Sequence, residues 1–410
     1  MDYKTTKPTL VIGGGISGIT AAVEIAEVGK KVILVEQKPY LGGNVIRMNN
    51  YFPKLCPPLC GLEINFRRIR QNSRIEYYTS SKVINISGQK GNYKIKILTE
   101  PQYIKNNCTA CGKCSEVCPE VRPDDFNNNF SSVKAVYLPH EDAFPLKYYI
   151  DENYCKKETC KKCVDACEYN AIDFSAKPTE TEVEISNIVV ATGWENYNAS
   201  KIEYLKYGVY PNVITNMEFE RLISANGPGK GILKRPTDSK TPKDIVFVQC
   251  AGSRDENHLP YCSAVCCTAS IKHALTLQEK YPDSKIKIFY IDLRVSGRNE
   301  DFLNKAIQNN NIELIKGKVA KISNAENENL IVEAENILSG KKVSHETELV
   351  VLATGMVPLK TDFKTGNTPE GFITGKPEEG IFAISCCKKP MDVSTSVKEA
   401  TGAALKAIQA

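Results

Sequence analysis

Cys108, Cys111, Cys114 and Cys118, followed by Pro119, have the spacing C-x2-C-x2-C-x3-C-P. Four thiolates at such gaps wrap an iron–sulfur cubane, and the one before proline reaches a neighbouring cluster. Zinc is the other reading, but gaps of two and three residues suit a cubane better than a zinc ribbon. A second run, Cys155, Cys160, Cys163 and Cys167, departs from this spacing. Its first gap is two residues longer, and Glu168 stands where proline would be. The two runs together predict two [4Fe–4S] clusters with exchanged ligands. Cys108, Cys111, Cys114 and Cys167 would hold one, and Cys118, Cys155, Cys160 and Cys163 the other.

A third group is Cys250, Cys262, Cys266 and Cys267. The spacing C-x11-C-x3-C-C is not a zinc-finger pattern. Cys250 ends an apolar run, residues 244–249, and the other three stand near the start of a helical stretch over about 264–278. The positive end of that helix favours thiolates. A third cluster is expected here. Buried structural cysteines, a redox disulfide and zinc are the alternatives, and adjacent cysteines seldom share a cluster. Cys56 and Cys60 form a weaker pair, readable as a redox dithiol, as ligands of a nearby cluster or as packing. Cys386 and Cys387 read as buried packing.

The elements that must position these thiols begin with a nucleotide turn. Thr9–Ile12 is an aliphatic strand, Gly13-Gly14-Gly15-Ile16-Ser17-Gly18 a G-x-G-x-x-G turn, and residues 19–26 keep helical spacing. Residues 31–35 form the next strand, closed by Glu36, 18 residues after Gly18. Gly13 allows the tight turn, Gly15 lets a pyrophosphate approach the helix start, and Gly18 lets helix and strand pack closely. Glu36 would bind ribose hydroxyls. At 250–255 a second strand–turn–helix lacks the second and third glycines, so a nicotinamide cofactor could not approach there as closely.

The chain has 410 residues, 53 Lys+Arg against 48 Asp+Glu, and 16 Cys. That length predicts two or three domains. A net charge of +5 gives no support to nucleic-acid binding. The cysteines are too dilute for a disulfide scaffold, which needs more than roughly 8 % in a short secreted chain. No apolar run approaches the ~20 residues that span a bilayer, and the N-terminus lacks the apolar core of a signal peptide. A cytoplasmic location is expected, with any membrane contact made peripherally through a partner. There are four His and no HExxH pair, so a hydrolytic metal site is not expected.

Leu41-Gly42-Gly43, and the strands ending in Ala191-Thr192-Gly193 and Ala353-Thr354-Gly355, resemble the crossings of two-dinucleotide-domain flavoproteins. Longer segments carry a closer resemblance, to the A-type flavin-bearing component of heterodisulfide reductase. They are Tyr51-Phe52-Pro53-Lys54-Leu55-Cys56-Pro57-Pro58, residues 60–69, residues 248–255, Tyr261-Cys262-Ser263, Cys266-Cys267 and residues 392–397. Within that family the chain resembles the A-type components of quinone-interacting membrane-bound oxidoreductases of sulfate reducers.

The resemblance implies an α/β flavoprotein of the thioredoxin-reductase type with an inserted ferredoxin-like iron–sulfur domain. FAD would be held by Gly13, Gly15, Ile16, Ser17, Gly18, Glu36, Gln37, Lys38, Gly42, Gly43, Val83, Ala191, Thr192, Gly193 and Gly355. Related flavoproteins carry Gly-Asp near 385, where this chain has no Asp, which puts that ribityl contact in doubt. The expected domains are 1–100, 179–240 and 349–410 for FAD, 101–178 for the insert, and 241–348 for the second Rossmann-like unit. The resemblance also implies partners: adenylylsulfate reductase, a second flavin/iron–sulfur subunit, and a quinone-reactive subunit in the membrane. The alternatives are a relay without its own substrate, an electron-bifurcating subunit, or a NAD(P)H-dependent disulfide reductase, against which the missing second fingerprint argues. The absence of a C-terminal ferredoxin module favours the quinone-linked reading.

Overall fold

The computed structural model describes residues 7–52, 55–295, 297–361, 363 and 365–410; Pro53 and Lys54 of the cysteine-bearing loop lie outside them. Strand β1 (Thr9–Ile12), helix α1 (Ile16–Glu27) and strand β2 (Val32–Val35) follow one another closely. Both strands are buried along their length, as aliphatic strands of a doubly covered parallel sheet must be. Helix α2 (Leu59–Gln71) leads to β3 (Ile75–Tyr78), then to the hairpin β4 (Ser81–Gln89) and β5 (Asn92–Thr99). The insert has only short pieces: α3 (Lys113–Glu116), β6 (Val121–Pro123), β7 (Ser132–Lys134), β8 (Val136–Tyr137), β9 (Tyr149–Ile150) and α4 (Lys162–Asp165). Strands β10 (Thr179–Ile185) and β11 (Ile188–Val190) return the chain beside β5 and β1.

Strand β12 (Trp194–Asn196) then leaves for the second unit. It contains β13 (Val213–Thr215), α5 (Asn216–Ile223), β14 (Asp244–Ala251), α6 (Cys266–Lys280), β15 (Lys285–Tyr290), α7 (Glu300–Ile307) and β16 (Ile312–Lys316). A meander of β17 (Val319–Asn324), β18 (Leu330–Asn336) and β19 (Lys341–Thr347) precedes β20 (Leu349–Thr354). Strand β21 (Met356–Pro358) pairs back onto β12, setting Trp194 opposite Pro358. Strand β22 (Ile381–Ala383) and helix α8 (Val393–Gln409) complete the first unit.

Both units have the same plan: a five-stranded parallel sheet, ordered β22-β11-β1-β2-β3 or β13-β20-β14-β15-β16, with a three-stranded antiparallel meander. Helix α8 packs its alanine face, Ala400, Ala403, Ala404 and Ala407, into the core that also holds α1. Two expected boundaries move. Strand β13 pairs with β20 and β20 with β14, so residues 213–215 and 349–354 belong to the second sheet, and α5 follows β13 into that unit. Hydrophobic runs of equal character fit either sheet; hydrogen-bond register decides between them.

Helix α5 ties the parts together. It opens with a capping box, in which Glu218 N–H donates to Thr215 Oγ1 and Thr215 N–H donates to Glu218 Oε2. Arg221 is wholly buried and lies 4.6 Å from the centroid of the Phe126 ring. Its guanidinium donates to Asn127 Oδ1 (2.9 Å) in the insert, to Arg47 O (3.2 Å) in the first unit and to Asn226 O (3.0 Å). Arg221→Met would strand these acceptors. It is expected to destabilise the chain by about 3 kcal/mol, read as a lowered urea midpoint.

Candidate functional site

A groove of about 1110 Å3 opens where β1, α1 and β11 meet. Gly13, Gly15, Ile16, Ser17, Glu36, Lys38, Gly43, Ala191, Thr192 and Gly193 line it. Gly13 has φ +107°, and a Cβ there would stand 2.3 Å from Ala191 O. A Cβ on Gly18 would stand 1.8 Å from Gly13 O. The first N–H groups of α1 face no side-chain cap, since Gly15 occupies that position. The turn therefore offers free backbone donors and a helix dipole to a phosphate. Thr192 Oγ1 and Asn196 Oδ1 are buried without partners and belong to residues lining the groove. Open donors and orphaned polar atoms fit a dinucleotide.

Glu36 is held by two backbone donors, Gly14 N–H (2.6 Å) and Lys38 N–H (2.7 Å). Burial pushes its carboxyl pKa up, and those bonds only partly oppose the shift. Five expected residues do not line the groove. Gly18 packs under the turn, and Gly42 bridges Gly15 from behind. Val83, on β4, is buried in the core, Gln37 faces a separate cleft near Tyr103, and Gly355 packs on Ser253 and Ser263. Arg47, Asn44, Trp194 and Cys386 line the groove without having been expected there. Their signal is weak, because they come from short elements far apart in the chain, the 3-10 turns at Val45–Arg47 and Ser385–Cys387 and the start of β12.

A second cavity adjoins the first and shares Ile16, Val45, Trp194 and Met217 with it. It lies between the two units and is mostly apolar, with Met48, Tyr51, Met356 and Met391 in its wall. Its polar wall is a buried cluster. Glu220 receives the Lys272 ammonium and His273 Nε2 (2.7 Å) on Oε1, and Asn49 N–H (2.8 Å) on Oε2. Burial alone would raise the Glu220 pKa, but Lys272 and His273 overcome it and pull it down. Burial keeps His273 low and so neutral. The start of α8, Asp392 and Val393, closes one side.

The insert carries two matched turns. Gly112 (φ +87°) follows Cys111 and starts α3, which carries Cys114; Lys161 (φ +54°) follows Cys160 and starts α4, which carries Cys163. The extra two residues of the second run are absorbed in a 3-10 turn over Lys157–Thr159. Ala110 N–H donates to Cys108 Sγ (3.4 Å) and Lys157 N–H to Cys155 Sγ (3.3 Å), each from a left-handed residue two positions on. Cys108, Cys111, Cys114 and Cys167 line one small pocket. Cys118 and Cys155 lie near Cys163, and Cys160 near Cys155. The lining of that pocket thus takes three thiols from the first run and one from the second, and Cys114 also lies near Cys163. Among the described residues no three such side chains converge on a point that could hold a single metal ion.

The third group repeats the device. Ala264, at φ +62°, donates its N–H to Cys262 Sγ at 3.4 Å. Cys250, itself at φ +57°, lies close to Cys262 and Cys267, and Cys266 lies near all three. Arg254 stands against Cys250 and pairs with Asp292 at 2.9 Å. The helix dipole does not dominate here. Burial pushes the Cys250 thiol up to about 11 and the buried Cys266 thiol up as well. Burial therefore favours the protonated form of both thiols. Cys387 is fully buried, and its thiol meets Ile384 O at 3.0 Å and Val190 O at 3.2 Å. Cys56 bridges Tyr51 at the cavity's edge, and Cys60 is exposed on α2.

The profile of the FAD dependent oxidoreductase family matches residues 9–55, the nucleotide turn and its flank. The A-type iron–sulfur component (second form) of the CoB–CoM heterodisulfide reductase of Methanopyrus kandleri is 38 % identical over 99 % of this chain. The A-type component of the H2:CoB–CoM heterodisulfide, ferredoxin reductase of Methanothermobacter marburgensis is 36 % identical over 97 %. The chain's homologues are heterodisulfide reductase components of the A type. It spans 64 % and 63 % of the length of these two relatives. Thioredoxin reductase of Lactococcus lactis superposes with a TM-score of 0.53 at 15 % identity, covering 98 % of both chains. That of T. acidophilum gives 0.51 at 12 %, covering 99 % of this chain and 97 % of the other. The fold is therefore that of a two-dinucleotide-binding flavoprotein, here with a cysteine-rich insert between β5 and β10. No helix among the described residues is long and apolar enough to cross a membrane.

At Gly15 a Cβ would meet only Gly43 Cα, at 3.8 Å, and φ is −74°. Gly15→Val is expected to fold with stability changed by about 1 kcal/mol or less. It should emerge without the flavin absorbance bands, because its side chain fills the approach to the helix start.

Proposed function

We propose that this chain is the flavin and iron–sulfur electron-transfer subunit of a larger oxidoreductase complex of the heterodisulfide reductase type. The observation that carries this reading is the cavity faced by Cys108, Cys111, Cys114 and Cys167, three from one run and one from the other. A mononuclear site or a disulfide would not need that exchange, whereas paired cubanes do.

Bound FAD would supply the exchange between two-electron and single-electron chemistry. The Gly13–Gly18 turn binds its phosphates and Glu36 braces that turn. The apolar cavity walled by Met48, Tyr51 and Met356 excludes water from the ring end. The Lys272–Glu220 ion pair, with His273 on the same carboxylate oxygen, forms the polar wall there. Cys266 and Cys267 begin α6, and Ala269, Lys272 and His273 on the same helix line the ring-end cavity. One rigid element therefore spans from the third thiol group to the flavin. In the insert, Cys114 lies near Cys163, so the two cubane sites are neighbours.

The electron donor and acceptor separate two versions of this reading. The relatives favour a bifurcating subunit of the heterodisulfide reductase kind. The resemblance to the A-type components of quinone-interacting oxidoreductases suggests instead a link from membrane quinol to adenylylsulfate reductase, with the chain held at the membrane by its partners. Potentiometric bleaching of the flavin in one two-electron step supports the first, and two resolved one-electron steps support the second.

Anaerobically purified chain is expected to carry one FAD and about twelve iron atoms, three cubanes of four. Cys114→Ser and Cys266→Ser should each lower that count by about four. A count of about eight would remove the site at Cys250, and iron-free protein with intact flavin would sink the proposal.

A further inference from the structure

Lys147 is a buried lysine, 8 % exposed, with no carboxylate bonded to it. Its Nζ meets three acceptors: Gln102 Oε1 at 3.2 Å, Ile104 O at 3.3 Å and Asn106 Oδ1 at 3.3 Å. An ammonium has three donors and a neutral amine has two, so this arrangement suits the charged form. The Tyr149 ring, 5.4 Å from Nζ, adds its face. A charge so placed is costly unless something compensates it. Burial lowers the Lys147 pKa, and the Cys108 thiol, near enough to act on it, opposes part of that shift. The three acceptors lie on the segment that runs into Cys108, and Ile104 and Cys108 line the same cavity.

We propose that Lys147 is the counter-charge of the iron–sulfur centre held by Cys108, Cys111, Cys114 and Cys167, and that it raises that centre's reduction potential relative to the second centre of the insert. The inference rests on the cluster reading above. Each electron added makes a thiolate-ligated cluster more negative by one unit. A fixed cation in a dry site therefore stabilises the reduced form more than the oxidised one. The second group, Cys118, Cys155, Cys160 and Cys163, has no comparable buried ammonium among the described residues: Lys156 and Lys157 beside it pair with Glu120 and Glu152 at the surface. The two neighbouring centres would then differ in potential, and an electron crossing the insert would rest on the Cys108 side, where Cys111 is exposed.

The test is a redox titration of the anaerobic holoprotein followed by electron paramagnetic resonance. The Cys108-side signal is assigned by its alteration in Cys111→Ser. Lys147→Gln removes the charge but keeps two donors for the loop. It should keep about twelve iron atoms and lower the midpoint of this centre alone, by on the order of tenfold in the reduction equilibrium, ~59 mV for one electron. Lys147→Met should lower it similarly. Lys147→Gln with wild-type iron and wild-type potential would overturn the assignment, as would loss of four irons in Lys147→Gln, which marks a structural role only. A wild-type chain lacking this centre would instead remove the cluster reading, and the proposal with it.

Discussion

Glu220 holds the two halves of the molecule at one distance. Its carboxylate is shut away from water and takes three bonds from three directions: two from α6, and one from the backbone of Asn49 in the first unit. Isolated, such an anion would cost several kcal/mol to bury. Paired with Lys272, it instead fixes where α6 lies against the loop that follows the nucleotide turn. Both the ring-end cavity and the third thiol group hang on that helix. The next residue, Arg221, performs the same task toward the insert. Two consecutive side chains of a short capped helix thus set the relative positions of flavin groove and cysteine sites. A buried ion pair is weak evidence for stability, and here its effect is specificity of arrangement.

The cysteine sites share a local solution despite different sequence spacings. At Cys108, Cys155 and Cys262, the residue two positions on takes a left-handed backbone and turns its N–H onto the sulfur. Alanine and lysine do not favour that conformation, which costs of order 1 kcal/mol or more. Such strain persists only where the surroundings insist on it. Its recurrence at the degenerate third group sets those four cysteines apart from Cys387, whose thiol makes ordinary contacts in a core.

What could be read from the sequence was what is local. The turn Gly13–Gly18 and the run Cys108–Cys118 each fit within a dozen residues, so spacing encodes geometry directly. The exchange of Cys167 into the first group could also be anticipated, because the two runs repeat. Three kinds of feature were hidden. Strand partners were one: the run at 349–354 is equally suited to either sheet. Another was which residue of a close-packed turn faces the ligand, as Gly18, Gly42 and Gly355 illustrate by packing behind it. The third was buried charge. Lys147, Glu220 and Lys272 look like solvated surface in one dimension, and their partners lie tens to hundreds of positions away. The expected benefit of the helix dipole for Cys266 was overridden by burial, a quantity that periodicity does not report.

The ribbon of β12 and β21 is a slender connection, two three-residue strands between large bodies, of the kind on which domains swing. In this chain the swing is blocked. Rotating one unit away from the other would pull Asn49 from Glu220 and Arg47 from Arg221, leaving a carboxylate and a guanidinium partly unsatisfied. The two units are therefore expected to keep one relative placement. On the electron-transfer reading proposed above, traffic would be governed by the gaps between stationary centres rather than timed by a hinge.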